Sequence, residues 1–442
     1  PEVPDMQQRA AVLVPHIKKN APRLRDLANQ NYTQGLPADW PLSTGRVSLT
    51  AVSTSGKLVY DLATTAFDEF EYVAARLVSE EPKVVSQLLA GVDVDPAVQN
   101  YYVGARSPFS VRRLDVLQVP GGMQITENDE QPGGLGLSYL YDLLYGVNLE
   151  RWQYIWQELT KHGKLVFVVS DNWSQAYHTE IKWLVSRLCQ EGYDVAFLST
   201  GEMGRMTIRR NRVTIDNQSV GTVFRLFPIF ETTGILADLV CAADRGMVRL
   251  VPEFASWGNK TWFALFHEHS DFFRANMTAA SYDLLNRMIP QTVLVQDGQF
   301  SAPFIVDGHC INEIDELGNS TKSVRRRLVV KVTGANDRAA RSYGVGIGTS
   351  FQSGAAFKEF LGQLVRNRTP FLVQAYTKGQ DYSLPVYSAL EGKGQVEYFG
   401  CRMLMRPWSI AGVNVGVVTA SPQSASLIHG TTASAFVPIQ LS

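Results

Sequence analysis

One segment of the sequence combines a lysine, two arginines and several glycines in a way that could hold a phosphate. In residues 328–350, LVVKVTGANDRAARSYGVGIGTS, Lys331 ends an apolar β-branched run, and the loop after it carries Arg338, Arg341, Gly344 and Gly346. A lysine on a strand can neutralise a phosphate oxygen, and glycines let backbone amides approach an anion closely. The common nucleotide patterns GxxxxGK(S/T) and GxGxxG are both absent. The segment is therefore a candidate phosphate site, although a solvated β-hairpin would show the same composition.

Two carboxylates upstream have the spacing of a metal site. The sequence RRLDVLQVPGGMQITENDEQPGG predicts two strands joined by a Gly-Gly turn, and the second strand leads to Glu127 and Asp129. Residues i and i+2 of a strand lie on the same face. Because Mg²⁺ is usually held by one or two carboxylates together with substrate phosphates, both residues are candidate magnesium ligands. The alternative is an acidic turn in solvent.

The elements around these residues indicate an α/β (α+β) chain. The stretches KLVFVVSDN, QAYHTEIKWLVSRLCQEG and YDVAFLST are typical of a strand, an amphipathic helix ending at Gly192 and a second strand, which together make a βαβ unit. A hairpin pattern, MTIRRNRVTIDNQSV, and another strand, VFRLFPIF, follow it. We predict three parts: residues 1–160 with the acidic turn, residues 161–252 with the βαβ unit, and residues 253–442 with the glycine-rich loop.

Composition excludes several classes of partner. The 442 residues include 41 basic and 42 acidic side chains, so the formal net charge of −1 favours neither nucleic acid nor an anionic membrane. No apolar run approaches the roughly 20 residues of a spanning helix. The first residues lack the pattern of a signal peptide, so we expect a soluble, cytoplasmic protein. The cysteines show no CxxC spacing and are predicted to be buried thiols: Cys189, Cys241, Cys310 and Cys401.

Taken in chain order, six motifs resemble the ATP-grasp superfamily, in the permuted branch that contains glutathionylspermidine synthase and eukaryotic-type glutathione synthetase. They are ITENDEQPGGLGLSYL, VFRLFPIFE, VPEFASWGNKTWFALFHE, RLVVKVTGANDRAARSYGVGIG, PFLVQAY, and GCRMLMRPW with SLIHGTTASAFVPI. They cover most of residues 106–440. In the usual order the nucleotide lysines precede the metal-binding acids, whereas here the acids come first. The resemblance implies an ATP-grasp fold with permuted motif order plus a Rossmann-like βαβ substrate domain.

The resemblance also implies roles for individual residues. Lys260 and Lys331 match the two lysines that reach the nucleotide phosphates, and Lys331, Arg402 and Arg406 would act on the transferred group. The implied nucleotide contacts are Lys260, Lys331, Arg338, Arg341, Gly344, Gly346, Gln374, Ala375 and Tyr376, the last three beside adenine, and the implied metal ligands are Glu127, Asp129 and Asp337. The family usually has asparagine where this chain has Asp129, and it has an acid closer to the second lysine than Asp337.

The activity that the resemblance implies is ATP-dependent carboxylate–amine ligation through an acyl phosphate, with Mg²⁺ as the metal. The substrates would be a small carboxylate and an amine, such as an amino acid, peptide or polyamine, and a homodimer is compatible with it. The 334–343 loop would cover the phosphates and exclude water. Two alternatives remain open: a catalytically degenerate nucleotide-binding module, and a small-molecule kinase.

Overall fold

The computed structural model describes residues 46–48, 52–53, 57–92, 94–104, 111–129, 133–172, 177–209, 212–252, 256–334, 336, 339, 344–388, 395–424 and 435–440. Within these ranges the chain is a mixed α/β structure with three β-sheets. No helix of this part is both long and apolar enough to cross a membrane. Three residues of the predicted site lie outside the described residues: Asp337, Arg338 and Arg341.

The described helices and strands follow one another along the whole chain. The helices are α1 Lys57–Glu80, α2 Pro82–Leu89, α3 Pro96–Val103, α4 Leu135–Tyr145, α5 Leu149–Thr160, α6 His178–Gln190, α7 Ile235–Asp244, α8 Thr261–Glu268, α9 Ser270–Asn276, α10 Ala279–Met288, α11 Ile314–Gly318, α12 Lys322–Arg325 and α13 Gly354–Arg366. The strands are β1 Arg46–Ser48, β2 Val52–Ser53, β3 Arg112–Val119, β4 Gly122–Asp129, β5 Lys164–Val169, β6 Val195–Ser199, β7 Met206–Arg209, β8 Arg212–Ile215, β9 Gln218–Leu226, β10 Arg249–Val251, β11 Thr292–Gln296, β12 Gln299–Val306, β13 His309–Glu313, β14 Leu328–Val332, β15 Val345–Ile347, β16 Phe371–Ala375, β17 Asp381–Ser388, β18 Gln395–Ile410, β19 Val413–Pro422 and β20 Ala435–Gln440.

The largest sheet joins strands from both ends of the chain. Its order is β1-β17-β18-β19-β20-β2, and β3 pairs with both β18 and β4. The hairpin predicted around the Gly-Gly turn is thus the β3–β4 pair, attached to the long strand β18. Residues of the first and third predicted parts share this sheet, and the boundaries between the parts stay a prediction.

The side chains of this sheet alternate between two faces, and both faces carry buried apolar residues. Met403 and Met405 of β18 and Val116 of β3 lie in the apolar core. Helix α1 belongs to that core because its apolar residues, among them Phe67 and Phe70, recur at helical spacing and are buried. The next residues along β3 and β18 lie on the opposite face, where charged side chains lie among apolar ones such as Leu404 and Trp408.

The second sheet contains the predicted βαβ unit, which is confirmed. Strands β5 and β6 are joined by α6 and pair in parallel, and Gly192, just after the helix, has a φ of 92°, as is typical of a helix C-terminus. The order is β6-β5-β9-β8-β7, with β10 beside β9. Since β6 and β9 flank β5 on opposite sides, the carboxyl ends of β5 and β9 form a topological switch point, where sheets of this kind bind ligands.

The third sheet carries the predicted phosphate lysine. Its order is β13-β12-β11-β16-β14-β15, so β14, with Lys331, lies between β15 and β16. The core of this region contains Leu328 and Val330 of the same strand together with Phe357 and Leu361 of α13. The apolar run of the sequence therefore fixes β14 in the core and leaves the lysine near its end.

The prediction of four buried thiols is wrong for part of the set. Cys401 is buried and Cys241 is half-buried, but Cys189 and Cys310 are exposed. Cys189 precedes Gln190, the last residue of α6, and Cys310 lies on β13, an edge strand of the third sheet. Sequence spacing does not reveal which side of a helix end or of an edge strand is covered.

Candidate functional site

The carboxylates of the site lie on the β3–β4 hairpin. Asp115 is the cross-strand partner of Glu127, and Arg113 is the partner of Asp129. Arg113 donates from Nε to Asp115 Oδ1 over 2.9 Å and from Nη2 to Asp129 Oδ2 over 3.0 Å. Because cross-strand partners share a face, the predicted common face of Glu127 and Asp129 is confirmed.

One extra residue interrupts this hairpin next to the carboxylates. Asp115 pairs with Glu127, whereas the following residue, Val116, pairs with Ile125. Thr126 therefore has no partner of its own and forms a β-bulge, a feature that is common next to functional sites. Its hydroxyl donates to the Asp115 carbonyl over 3.1 Å, which holds the bulge against β3.

Two lysines reach the hairpin from separate parts of the chain. Lys260 immediately precedes α8, and its Nζ lies 2.6 Å from Glu127 Oε1 and donates to the Ala339 carbonyl over 3.0 Å. Lys331 of β14 donates from Nζ to the Thr126 carbonyl of the bulge over 2.8 Å. The two predicted phosphate lysines thus meet beside the predicted metal-binding acid.

Burial and charge act in opposite directions on these groups. Burial would raise the pKa of Glu127, but the charges of Lys260, Lys331 and Arg113 bring it below its ordinary value. Burial would lower the pKa of Lys260, but the charge and hydrogen bond of Glu127 raise it. Burial is the main cause that lowers the pKa of Lys331 to about 8; Glu127 opposes this shift, and the nearby ammonium of Lys260 adds to it. Lys331 is therefore the less well compensated cation of the two.

Both predicted arginines lie on the face of β18 that is opposite to Met403 and Met405. Arg406 has its Nε 3.5 Å from Asp115 Oδ2. Arg402, four residues away and so about 13 Å along the strand, is the cross-strand partner of Asp381. It is only 4% exposed, and its Nε makes no hydrogen bond with any of the described residues. Arg402 is thus a buried cation with an unused donor, a group suited to a carboxylate or phosphate.

Among the described residues, four basic and three acidic side chains meet around the bulge, which gives this set a net of one positive charge. We call this group the charge cluster; its members are Arg113, Lys260, Lys331, Arg406, Asp115, Glu127 and Asp129. Each carboxylate already contacts a cation, so the cluster suits a polyphosphate better than a free divalent ion. Across the described part of the chain, no three His, Cys, Asp or Glu side chains group as metal ligands. Glu127 and Asp129 carry the oxygen atoms that Mg²⁺ prefers, and their role as metal ligands stays a prediction.

The segment predicted to pair with adenine already uses two of its amides. The amide of Ala375 donates to the Gln291 carbonyl and that of Tyr376 to the Arg327 carbonyl, both over 2.8 Å. Gln374 is buried and donates from its side chain to Thr292 over 2.9 Å. A base at this edge would have to use other groups of the segment, and its contact with adenine stays a prediction.

Of the two predicted glycines of the phosphate loop, Gly346 has a packing role. A Cβ on Gly346 would lie 2.8 Å from the Phe360 ring and 3.0 Å from the Phe351 ring, so a larger residue does not fit. Gly344 is buried, and its carbonyl accepts from the Val332 amide over 2.8 Å. Phosphate contacts by these glycines, and by the loop residues outside the described ranges, stay predictions.

A second polar group lies at the switch point of the second sheet, and sequence reasoning missed it. Ser170 follows β5, and its hydroxyl donates to Glu231 beyond β9. His178 Nε2 lies 3.0 Å from the Ser170 carbonyl and 3.4 Å from Asp171 Oδ1. The signal was present, because polar residues directly follow the apolar run KLVFVV. It was not decisive, because the position of β9 beside β5 depends on tertiary packing.

The first turn of α6 connects this group to the charge cluster. Tyr177, just before His178, has its ring against Gly133, where a Cβ would lie 2.2 Å from a ring carbon. Glu180 accepts a hydrogen bond from the Gly136 amide over 2.6 Å. Burial raises the pKa of Glu180 to about 7, although the hydrogen bonds from backbone amides act to lower it. The Gly133 carbonyl accepts from Arg113 Nη1 over 2.8 Å. The two polar groups are thus linked through one helical turn.

Comparison with known proteins gives likenesses in structure and none in sequence. No family model matches the sequence, and no curated protein matches it. Over its full length the chain is similar to a glutathione synthetase-like effector from Globodera pallida in its apo form, at 13% identity and a TM-score of 0.45, covering 100% of this chain and 99% of that one. It is also similar to a putative gamma-glutamylcysteine synthetase from Methylobacillus flagellatus KT, at 13% identity and a TM-score of 0.43, covering 88% and 89%. At these values neither likeness assigns a function, which must come from the site itself.

Proposed function

We propose that this protein is an ATP-dependent carboxylate–amine ligase that forms an amide through an acyl phosphate. The observation that carries the proposal is the charge cluster, in which lysines from two distant segments meet carboxylates of a hairpin from a third. Such a group has no evident structural need, because a buried cation such as Lys331 is disfavoured in the folded protein. Perturbed, convergent charges of this kind are typical of functional sites.

The residues of the cluster divide the work of phosphoryl transfer. Lys260 and Lys331 would bind the phosphates of ATP as two point charges. Glu127 and Asp129 would hold Mg²⁺, which when bound neutralises charge on the phosphates. Arg406, oriented by Asp115, would lie beside the group in transfer and stabilise the charge that develops there. These roles need no protein nucleophile.

The group at the switch point is the proposed place of the substrates. Glu231 and Asp171 supply negative charge for an ammonium group, and the Ser170 hydroxyl, which donates to Glu231, orients that carboxylate. The first turn of α6 contacts Gly133, whose carbonyl accepts from Arg113, so this group is linked to the charge cluster by a chain of contacts. The proposal requires that a substrate bound there reach a phosphate held by the two lysines.

The test begins with titration calorimetry of the protein with Mg-ATP. It continues with a screen for ADP release over amino acids, peptides and polyamines, with mass spectrometry of every active mixture. The proposal expects nucleotide binding, ADP release that requires both a carboxylate and an amine, and an amide product. The matched control is Lys331→Met, which keeps the length of the side chain and removes its charge.

Each of the other outcomes would indicate a different function. Nucleotide binding without ADP release for any pair of substrates would indicate a binding module. This alternative is favoured by one observation, that every carboxylate in the charge cluster is paired with a cation. ADP release with a phosphorylated product and no amide would indicate a small-molecule kinase. Absence of nucleotide binding in the wild-type protein would refute the proposal.

A further inference from the structure

A buried polar network lies between the two lysines of the charge cluster. Asn259 Oδ1 accepts from the Thr261 amide over 3.0 Å and from the Thr333 hydroxyl over 2.8 Å. The hydroxyls of Thr261 and Thr333 lie 2.8 Å apart. All three residues are at most 5% exposed. Asn259 and Thr261 flank Lys260 in the sequence, and Thr333 follows Lys331 by two residues, so the network joins the segments that carry the two cations.

The direction of each hydrogen bond in this network follows from counting donors. The Thr261 amide can only donate, so the acceptor it meets on Asn259 is the side-chain oxygen. The single hydroxyl hydrogen of Thr333 is used toward the same oxygen. Thr261 must therefore donate its own hydroxyl hydrogen to Thr333. The chain of bonds has one consistent direction, and loss of either hydroxyl breaks it.

Backbone carbonyls at the end of α2 anchor both sides of the network. Asn259 Nδ2 donates to the Leu88 carbonyl over 3.0 Å. Asn336 Nδ2 donates to the Gly91 carbonyl over 2.9 Å. Gly334, at a φ of 99°, lies so close to residues 90 and 91 that a Cβ would be 2.9 Å from both carbonyl oxygens. The start of α8 and the end of β14 are thus fixed to the same short segment.

We infer that Asn259, Thr261 and Thr333 are positioning residues that hold Lys260 and Lys331 at a fixed spacing, as a preformed pair of cations for one polyphosphate. The inference rests on the proposed nucleotide site. Two like charges separate unless the backbone that carries them is held, and among the described residues the hydrogen-bond partner of Lys331 is a neutral carbonyl alone. Preorganisation of this kind removes part of the entropy cost of binding.

The test compares Thr333→Val, which keeps the shape and removes the hydroxyl, with Thr333→Ser, which keeps the hydroxyl. Thr261→Val, measured in parallel, breaks the same chain of bonds from its other end. Thr64→Val is the matched control, because Thr64 is also buried and its hydroxyl bonds to the Asp61 carbonyl and to Asn414, away from the lysines. Affinity for Mg-ADP is measured by calorimetry and stability by thermal unfolding.

A second measurement does not depend on nucleotide. The apo protein is labelled briefly with an amine-reactive reagent at one fixed pH, and the labelling of Lys260 and Lys331 is compared with that of the exposed Lys83 by mass spectrometry. We expect both valine variants at 261 and 333 to bind Mg-ADP about tenfold more weakly and to label Lys331 several-fold faster. Thr333→Ser and Thr64→Val should stay within twofold of the wild type in both measurements.

The two measurements separate the failure of this inference from the failure of the proposed function. Wild-type labelling of both lysines in Thr333→Val and Thr261→Val would overturn the positioning role. The same holds if Thr64→Val weakens Mg-ADP as much as they do. If the wild-type protein binds no Mg-ADP while the labelling changes as expected, the positioning of the lysines is supported and the proposed function is refuted.

Discussion

The two lysines of the charge cluster should respond in opposite ways when their charge is removed. A pKa of about 8 for Lys331, against an ordinary 10.5, means that the folded protein holds this ammonium at a cost of about 3 kcal/mol at pH 7. Replacement of Lys331 by Met removes that cost and also a hydrogen bond to Thr126 of about 1 kcal/mol. We therefore expect Lys331→Met to raise the free energy of unfolding at pH 7 by about 2 kcal/mol.

The pH dependence of the free energy of unfolding tests the sign of this effect independently. Because the pKa of Lys331 is lower in the folded than in the unfolded protein, the unfolded state binds more protons between about pH 8 and 10.5, and wild-type stability rises with pH in that window. From pH 7 to pH 9.5 the gain from this group is about 2 kcal/mol. Lys331→Met lacks it, so the two proteins should converge in stability as the pH rises.

Lys260→Met is the informative comparison. Its loss removes the partner of Glu127, whose carboxylate lies 2.6 Å away, and we expect a destabilisation of about 1–3 kcal/mol. Both variants should lose about 1.5–3 kcal/mol of Mg-ATP binding, the range for a hydrogen bond to a charged group. Urea unfolding at pH 7 and 9.5, with calorimetry of nucleotide binding, measures both effects. If Lys331→Met is less stable than the wild type at both pH values, the reasoning on its burial is refuted.

Three further predictions concern the carboxylates and the buried arginine. Glu127→Gln should abolish turnover and retain measurable nucleotide binding, because metal binding is lost while the lysines remain; wild-type ADP release in this variant would exclude a metal role. Arg402→Met should lower turnover and leave the Kd of Mg-ATP within twofold, since this residue lies about 13 Å along β18 from the cluster; a large change in that Kd would place it at the nucleotide instead. Asp142 accepts from Trp152 Nε1 over 2.7 Å, and burial raises its pKa to about 7. Its contribution to stability is therefore present at acidic pH and lost as the pH rises through 7, and Asp142→Asn should remove about 2 kcal/mol of the difference in unfolding free energy between pH 5.5 and pH 8. If Asp142→Asn leaves the dependence of the unfolding free energy on pH unchanged, the Asp142 carboxyl is ionised throughout this range.

Local pattern predicted the elements of the site well. The βαβ unit, the hairpin at the Gly-Gly turn and the strand that carries Lys331 follow from apolar periodicity and turn residues, which act over a few positions. The common face of Glu127 and Asp129 follows from strand geometry alone. These features could be predicted because each depends on neighbouring residues.

Features that depend on strands meeting from distant parts of the chain could not be predicted in the same way. The roles of Arg113 and Asp115 arise from the pairing of β3 with both β4 and β18, and Ser170 meets Glu231 only because β9 lies beside β5. Gly346 looked like a phosphate-loop glycine, yet the rings that exclude a side chain there belong to the segment after it. The roles of these residues depend on tertiary packing, which no local sequence pattern predicts.

The extra residue in β4 makes this strand unusually tolerant of a change in length. Deletion of Thr126 itself closes the bulge, after which Ile125 still lies in the apolar core and both carboxylates keep their face. The deletion removes the Thr126 carbonyl, which accepts the hydrogen bond from Lys331. Strand β18, which pairs with β19 and β3 without any shift in register, has no such reserve, and a deletion before Arg406 would turn its guanidinium away from Asp115. Among related chains, differences in length should therefore occur at residue 126, and they should be accompanied by a change at position 331.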